Sequence, residues 1–254
     1  MKILIANDDG IDSEGIYQLA KKLKEIGSVY VVAPDKEQSA SGHSITMHQP
    51  LRLKKVNFFD TDIDAWWVSG TPADCIKLGI EAIIKQKPDL IVSGINKGAN
   101  LGTDILYSGT VSAAIEGAIL GIPAVAFSYA SHQSFDFELA ADIAQKICIE
   151  IIKTPMPSKT ILNVNIPCCS LNNLKGIKIC KLGTREYSNN YEERKDPRGN
   201  IYYWLAGELI DTTHNESDTD IFAISKNYVS ITPIHIDLTN HKLIKKLTNL
   251  DLKL

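Results

Sequence analysis

Residues 3–10 read ILIANDDG, and this stretch decides how the rest of the sequence is interpreted. Four small or apolar residues lead directly into an asparagine, two adjacent aspartates and a glycine. An uninterrupted apolar run that ends at a turn signal is typical of a strand buried on both faces of a parallel sheet. In open α/β sheets the ligand site lies at the carboxyl ends of the strands. The sequence therefore predicts that Asp8 and Asp9 lie at the functional edge of such a sheet.

Two neighbouring carboxylates at the end of a strand predict a metal site. Each negative charge raises the pKa of the other unless a cation lies between them. Hard divalent ions such as Mg²⁺ and Mn²⁺ prefer oxygen ligands and remove this repulsion. The alternative is that residues 7–10 form a solvated turn, since asparagine, aspartate and glycine are common turn residues. The octapeptide alone is compatible with both interpretations.

The overall composition indicates a globular protein without a polyanionic or membrane partner. The 254 residues suffice for one large domain, or for one domain with an added lobe, and for a substantial core. A net charge of −3 gives no indication of binding to a nucleic-acid polymer. No apolar run reaches the roughly 18 residues of a membrane span. Five scattered cysteines without a CxxC pair, and a start directly in a strand without a signal peptide, predict a cytoplasmic protein with reduced thiols.

Strand and helix patterns alternate from the N-terminus to about residue 167. Strand, helix and strand within about 30 residues form a right-handed βαβ unit. The predicted fold class is α/β, with a Rossmann-like, doubly wound, mostly parallel sheet and a C-terminal β-hairpin or arm extension. Ser13 and Thr71 are predicted N-caps. Buried strands are predicted at 3–6, 29–33, 90–94, 122–128 and 160–166. Helices are predicted at 14–26, 72–85, 111–120 and 136–152; the first and the last are amphipathic, and the third is rich in small residues.

A polar loop, residues 35–44, leaves the second strand beside the end of the first. Its hydroxyl groups, Ser39 included, are placed to reach the same ion or an anion that the ion holds. Composition alone favours a solvated connector for this loop. His43 is either a general acid or base or an ordinary surface residue. Residues 45–70 predict a hairpin-like excursion whose two tryptophans pack as core or lid residues or line a pocket for a flat ring.

A second stretch with chemical character, residues 93–102 (SGINKGANLG), follows the third strand directly. Its three glycines resemble a phosphate cradle, although it matches neither G-x-x-x-x-G-K-[ST] nor G-x-G-x-x-G. Asn96 offers a carbonyl oxygen to a cation and an amide to an anion. Residues 108–110 (SGT) then open a helix, and free backbone N–H groups with two hydroxyls at a helix start predict an anion site. The alternative for this helix start is an ordinary N-cap.

The pattern changes after residue 167. Strands are predicted at 177–182, 202–205 and 228–232 without helices between them, followed by a last helix at 240–247. A charged run at 192–198 predicts an extended arm or a loop over the site. A polar run at 211–220 either brings Asp218 and Asp220 near a metal or is a solvated loop. Long arms of this kind often pack across a dimer partner, so one domain is predicted over 1–254, with a core at about 1–167 and an oligomerisation extension at about 168–254.

The order of these blocks resembles the SurE family, the stationary-phase survival proteins that act as metal-dependent nucleotidases. The resemblance covers nearly the whole length, and the number of ordered blocks makes it specific. The matching blocks are IANDDG (5–10), APD (33–35) with SASG (39–42), SGTPAD (69–74), SGINKGANLG (93–102), YSGT (107–110) with AA (113–114), DPRG (196–199) with YW (203–204), and YVSITP (228–233).

The resemblance implies hydrolysis of nucleoside 5′-monophosphates, and in some members of 3′-nucleotides and short polyphosphate, by a cytoplasmic homodimer or homotetramer. It also implies one divalent ion, Mg²⁺ or Mn²⁺, as cofactor. The implied residues have three overlapping roles. The metal ligands are Asp8, Asp9, Ser39 and Asn96; the catalytic residues are Asp8, Asp9 and Asn96; the substrate contacts are Ser39, Asn96, Ser108, Gly109 and Thr110.

The residues and the resemblance together predict metal-assisted hydrolysis of a phosphomonoester. Asp8 has a further role that the sequence leaves open, because it either orients or deprotonates the attacking water or attacks phosphorus itself. A carbohydrate or lipid esterase on the same fold lacks support, since no G-x-S-x-G elbow is present. A nucleotide-binding regulatory protein without turnover is the alternative from another class. Paired aspartates argue against it, because binding alone does not require a metal.

Overall fold

A nine-stranded sheet runs through the centre of the protein, in a computed structural model that describes residues 1–131, 136–188, 190–210, 216–248 and 250. The strands of the described residues are β1 (Lys2–Ala6), β2 (Ser28–Pro34), β3 (Leu53–Val56), β4 (Asp64–Val68), β5 (Leu90–Lys97), β6 (Ala124–Ala130), β7 (Thr160–Pro167), β8 (Ile177–Ile179), β9 (Tyr191–Lys195), β10 (Ile201–Leu205) and β11 (Val229–His235). The order across the sheet is β3-β4-β2-β1-β5-β6-β7-β11-β8, while β9 and β10 form a separate antiparallel hairpin.

The six strands from β4 to β7 in this order are mutually parallel. Strand β3 pairs antiparallel with β4 and β11 pairs antiparallel with β7, whereas β8 pairs parallel with β11. Strand β1 lies in the middle and shows why the sheet is covered on both faces. Ile3 and Ile5 belong to one core cluster, and Leu4 belongs to the other. Successive side chains of a strand point to opposite faces, so an uninterrupted apolar run requires two layers of helices. The predicted doubly wound α/β class is confirmed.

The helices form these two layers. Helices α1 (Glu14–Leu23) and α4 (Phe137–Lys153) contribute to the first cluster, and α2 (Pro72–Leu78) and α3 (Gly109–Ile119) contribute to the second. The remaining helices are α5 (Asp220–Ser225) and α6 (His241–Leu247). No helix in the described part of the chain is long and apolar enough to cross a membrane.

The predicted helix starts are found, with one difference in how they are capped. Thr71 begins α2 with a reciprocal capping box, because its hydroxyl accepts from the Asp74 N–H at 3.1 Å and its own N–H donates to the Asp74 carboxylate at 3.0 Å. Ser108 caps α3 by accepting from the Val111 N–H at 3.1 Å. Ser13 precedes α1, but its hydroxyl makes no capping bond to that helix and accepts from Asn7 instead.

Two sequence predictions are corrected by the structure, and a third is extended. The predicted hairpin-like excursion is present, because β3 and β4 pair antiparallel, and it joins the main sheet, because β4 pairs parallel with β2. The helix predicted at 72–85 is regular only to Leu78 and continues as a π-helical segment, Gly79–Ile84. The C-terminal strands do have a helix between them, since α5 lies there; its six residues are too few for a visible helical period.

The charged run at 192–198 follows the first of its two alternatives, an extended arm. It lies mostly in β9, which pairs antiparallel with β10, so the predicted C-terminal β-hairpin is confirmed. Every residue of both strands is exposed. In the polar run at 211–220, residues 211–215 lie outside the described residues.

Candidate active site

The turn after β1 is buried rather than solvated, which excludes the simpler interpretation of residues 7–10. Asn7 is 0% exposed and Asp8 is 4% exposed. The Asn7 side-chain amide donates to the Gly10 carbonyl and to the Ser13 hydroxyl, both at 2.8 Å. Gly10 has a φ of +97°, in the left-handed region that L side chains rarely adopt. The asparagine and the glycine therefore hold a tight turn that presents Asp8 and Asp9 at the strand end.

The start of α3 lies against Asp8. The Thr110 hydroxyl donates to Asp8 Oδ1 at 2.5 Å, within the range of hydrogen bonds to an ionised acceptor. A Cβ atom added to Gly109 would lie 2.7 Å from Asp8 Cβ, so only glycine permits this approach. Backbone N–H groups in the first turn of a helix lack intrahelical partners and carry positive partial charge. The helix start and the carboxylate therefore form one polar site.

Both aspartates are destabilised as anions in the protein without a bound cation. Burial raises the pKa of Asp8, although the hydrogen bonds from Thr110 act in the opposite direction. Burial, and next the charge of Asp8, raise the pKa of Asp9 to about 6. Asp9 Oδ2 also accepts from the Lys97 N–H at 3.2 Å, which ties this turn to the end of β5. Such an environment favours a positive charge near the pair.

Asn96 lies at the irregular end of β5. The pairing of β5 with β6 shifts register between Ser93 and Asn96, which marks a bulge at the strand end. The Asn96 amide nitrogen donates to the Gly98 carbonyl at 2.9 Å. This bond fixes the side chain and directs its carbonyl oxygen away from Gly98, as an oxygen ligand to a cation requires.

Ser39 is exposed and follows a residue that is bound to the backbone of Asp8. The Gln38 N–H donates to the Asp8 carbonyl at 2.7 Å. The Ser39 hydroxyl donates to Glu37 at 2.6 Å, which leaves its lone pairs available. Glu37 also makes a smaller contribution, after burial, to the raised pKa values of Asp8 and Asp9. This third carboxylate is not singled out by the sequence, because an exposed Glu in a polar loop has no distinguishing pattern.

The donors around the aspartates fit a hard divalent cation. Two carboxylates with raised pKa values and neutral oxygens from a serine and an asparagine are the groups that Mg²⁺ and Mn²⁺ bind. Among the described residues, the buried atoms Asn7 Oδ1, Ser41 Oγ and Ser93 Oγ have no hydrogen-bond partner in the protein. Buried polar atoms normally have partners, so these three oxygens are acceptors that the protein itself leaves unused. No described cluster of three or more His, Cys, Asp or Glu side chains could hold a metal.

The glycine-rich loop after β5 is held from two sides. Asn100 donates its N–H to Asn165 at 2.8 Å, and its carbonyl accepts from the amides of Asn163 and Asn165. The fully buried Asp220 accepts from the N–H groups of Gly102 and Gly183, both at 2.8 Å. Asp220 therefore supports the loop through its backbone. A position at the metal, one of the two sequence interpretations, does not fit these partners.

Asp218 and the two tryptophans, which were further candidates for the site, have structural contacts instead. Asp218 is 61% exposed and pairs with Lys181 at 3.2 Å. Trp66 and Trp67 are partly buried and pack against the two core clusters, as the core interpretation predicts.

The structure brings His43, Lys77 and Glu116 together in a cluster that the sequence did not predict. His43 Nε2 lies 3.0 Å from Glu116 Oε2, and Lys77 Nζ lies 3.2 Å from the other oxygen of the same carboxylate. The Glu116 side chain is only 5% exposed. Its sequence signal is a single charge in the otherwise small and apolar α3, GTVSAAIEGAI. Buried carboxylates are normally paired, so this residue predicts a basic partner but not which one.

The fold and the site together define an α/β protein of the doubly wound class, with paired carboxylates and a helix start at the carboxyl edge of its sheet. The family model described as Survival protein SurE matches residues 3–189. The chain belongs to the SurE family.

Relatives of known name match over almost their whole length. A protein of Alkaliphilus metalliredigens named 5'-nucleotidase SurE is 52% identical, over 100% of both chains. One of the same name from Pelotomaculum thermopropionicum is 50% identical, over 98% of this chain and 95% of the relative. The crystal structure of the SurE protein from Aquifex aeolicus superposes with a TM-score of 0.86 at 45% identity, covering 98% of both chains.

Proposed function

We propose that this protein is a metal-dependent 5′-nucleotidase that hydrolyses nucleoside 5′-monophosphates to nucleoside and phosphate. The observation that carries the proposal is the hydrogen bond between Thr110 and Asp8, because it joins an anion-binding helix start to the paired carboxylates. The names of the relatives, 5'-nucleotidase SurE, support the same reaction. Recognition through phosphate rather than base also allows 3′-nucleotides and short polyphosphate as further substrates.

The residues that would hold the metal are Asp8, Asp9, Ser39 and Asn96. A bound Mg²⁺ or Mn²⁺ would supply Lewis-acid polarisation of a phosphoryl oxygen and a lower pKa for a bound water. Side chains and backbone groups of the protein would bind the phosphate and accept the proton of the attacking water. The carboxylates are anionic and would repel a phosphate by themselves. Binding of the substrate therefore also requires hydrogen-bond donors, which lie at the start of α3.

The start of α3 is the proposed phosphate site. The Ser108 hydroxyl and the backbone N–H groups at Gly109 and Thr110 would bind the phosphoryl oxygens. The single hydroxyl proton of Thr110 is donated to Asp8, so this hydroxyl acts on the site through Asp8. Donors fixed before the reaction stabilise charge that develops in the transition state, which commonly contributes a factor of about 100 to 1,000 per donor. Their positions are fixed by the α3 backbone, so no reorganisation is needed as the charge develops.

Asp8 is the proposed residue at the attacking atom. Its Oδ1 is engaged by Thr110, whereas its Oδ2 lies on the side of Gly109, where a Cβ atom would come within 3.0 Å of it. This second oxygen therefore faces the proposed phosphate site. From there it would orient the attacking water and accept its proton.

We further propose that the β9–β10 hairpin joins copies of the chain into a homodimer or homotetramer. Its aromatic residues are exposed, with Tyr203 and Trp204 each 59% accessible. Clustered exposed aromatic side chains are characteristic of interaction surfaces. The rest of the region after residue 167 is not a separate extension in this proposal, because β8 and β11 complete the central sheet.

The experiment that tests the function is phosphate release from a panel of 5′- and 3′-nucleoside monophosphates and short polyphosphate, with Mn²⁺, Mg²⁺ or EDTA. Asp9→Ala removes one proposed ligand, and Asp218→Ala is the matched control because that aspartate is exposed and paired with Lys181. We expect metal-dependent release that is lost in Asp9→Ala and retained in Asp218→Ala. Nucleotide binding without release under any metal would support the regulatory alternative and overturn the proposal.

A further inference from the structure

The loop after β2 crosses the mouth of the proposed site as a strap, defined here as residues 36–46. Two backbone hydrogen bonds attach the strap to opposite sides of the proposed site. The Gln38 N–H donates to the Asp8 carbonyl at 2.7 Å, and the Gly42 N–H donates to the Tyr107 carbonyl at 3.0 Å. The strap therefore spans from the end of β1 to the residue that precedes the Ser108 cap of α3. Ser39 and Ser41 lie on it.

A side-chain contact fastens the strap at a third point, deeper along α3. His43 reaches Glu116, with Nε2 and Oε2 3.0 Å apart, and only 5% of the Glu116 side chain is accessible. Glu116 is seven residues beyond Gly109, so this contact lies roughly 10 Å along the helix from the phosphate site. The carboxylate is therefore outside the reacting centre, and the proposed mechanism does not use it.

The C-terminal end of the strap is also attached to the start of α2, because the Thr46 N–H donates to Asp74 at 3.1 Å and the Thr71 hydroxyl donates to the Ser44 carbonyl at 2.7 Å. Apart from these polar contacts, the strap has little apolar packing. Its residues are exposed or only partly buried, and none belongs to a core cluster. Segments with few buried apolar contacts open locally at a much lower cost than the whole fold.

Opening of the strap would leave the buried Glu116 carboxylate with Lys77 alone, so Oε2 would lose its hydrogen bond from His43, which costs free energy. The pairing of His43 with Glu116 therefore favours the closed position of the strap.

We propose that Glu116 and His43 are positioning residues that hold the strap closed and so place Ser39 and Ser41 beside Asp8. Ser41 supports this, because its buried Oγ has no partner among the described residues and lies where a Cβ atom of Gly109 would approach it to 3.1 Å. The consequence for catalysis rests on the proposed function, since Ser39 is a proposed metal ligand there. The closure of the strap does not depend on that function.

The direct test is hydrogen exchange of the strap amides, Gly42 above all, followed by mass spectrometry. We expect His43→Ala to increase exchange by about tenfold or more, as the loss of a hydrogen bond to a charged group implies. Glu116→Gln should act in the same direction. His43→Gln keeps a donor at a similar reach and should restore protection. Lys77→Met is the matched control, because Lys77 contacts the same carboxylate from α2 and is not on the strap.

The functional test uses Mn²⁺ affinity, measured by calorimetry without substrate, together with the split between KM and kcat. We expect weaker Mn²⁺ binding and a raised KM in His43→Ala, with kcat recovering at saturating metal and substrate, and near-normal values in His43→Gln. A role in stability alone would lower the melting temperature of Lys77→Met and His43→Ala alike without changing these ratios.

The two proposals fail in different ways. If the wild-type protein binds metal but releases no phosphate, the proposed function is wrong while the exchange result still decides on the strap. If strap exchange in His43→Ala equals that of the wild type, the positioning role is wrong whatever the activity.

Discussion

Thr110 donates its hydroxyl proton to Asp8 at 2.5 Å across 102 positions of sequence. This bond fixes the first turn of α3 against the end of β1, so the proposed cation site and the proposed phosphate site share one residue pair. Because Asp8 is buried and its carboxylate needs donors, the helix start also supplies part of the stabilisation that the strand end requires. The pair therefore links the folding of the sheet edge to the chemistry proposed for it.

Replacement of Thr110 by valine tests the pair directly, because the two side chains have nearly the same volume. We expect phosphate release to fall by about 100-fold, because Asp8 loses the donor that orients its carboxylate at the proposed site. The free energy of unfolding should fall by about 1–3 kcal/mol, because a buried acceptor loses its partner. Steady-state kinetics and urea unfolding measure the two effects. Thr110→Ser, which keeps the hydroxyl, should stay close to wild type; equal losses in both variants would contradict the prediction.

Gly109→Ala tests the close approach of α3 to Asp8. The added methyl group would lie 2.7 Å from Asp8 Cβ and 3.1 Å from Ser41 Oγ. Alanine favours a helix over glycine, so a stability loss can come only from this collision, which costs about 1–3 kcal/mol in a packed site. We expect turnover to be largely lost while circular dichroism stays native. Ser112→Ala, on the same helix, should retain turnover, and an active Gly109→Ala would show that Asp8 can move freely.

The sequence reveals the parts of the site whose signal is local. The buried strand, the aspartate pair and the serine-glycine-threonine helix start each occupy a few consecutive residues, and their convergence follows from the rule that ligands bind at the carboxyl edge of a parallel sheet. Glu116 and His43 are 73 positions apart, and nothing in either segment specifies the other. Asp220 is similar, because its partners are backbone N–H groups, which any residue type can provide. Long-range pairing of single polar residues therefore needs the structure.

The contribution of Glu116 to stability should depend on pH in a defined direction. The hydrogen bond from His43, and then that from Lys77, lower the pKa of Glu116 below its ordinary value of 4.5 although burial opposes them. A carboxyl group whose pKa is lower in the folded state stabilises the fold fully above its unfolded pKa and loses this effect as the pH falls through the folded value.

We therefore expect wild type to exceed Glu116→Gln by about 1–3 kcal/mol in the free energy of unfolding above pH 4.5, with the difference shrinking at lower pH. Urea denaturation of both proteins at a series of pH values measures it. A difference that grows in acid would show that the carboxylate is not paired as described.

The proposed role of the β9–β10 hairpin in oligomerisation predicts the mass of the protein in solution. Trp204→Ser removes an exposed aromatic from β10 without touching the core, since that side chain is 59% accessible. We expect wild type to have a mass that is a multiple of 28.0 kDa by light scattering after gel filtration, and the variant to shift towards 28.0 kDa. Leu238→Ser changes another exposed apolar residue away from the hairpin and should leave the mass unchanged. A monomeric wild type would exclude this role for the hairpin.

Asp9→Asn tests two effects of the Asp9 carboxylate, which are its repulsion with Asp8 in the metal-free protein and its proposed binding of the metal. In the metal-free protein, burial and the neighbouring charge of Asp8 disfavour an ionised Asp9. Removal of that charge should therefore leave the melting temperature of metal-free protein unchanged or higher at neutral pH. A ligand that binds only the folded state stabilises it by about 2.7 kcal/mol at a concentration of 100 times its dissociation constant. We expect Mn²⁺ to raise the melting temperature of the wild type and not that of Asp9→Asn. If the metal-free variant is less stable than the metal-free wild type, the two aspartates do not repel each other as described. If the variant also responds to Mn²⁺ as the wild type does, the ion binds elsewhere.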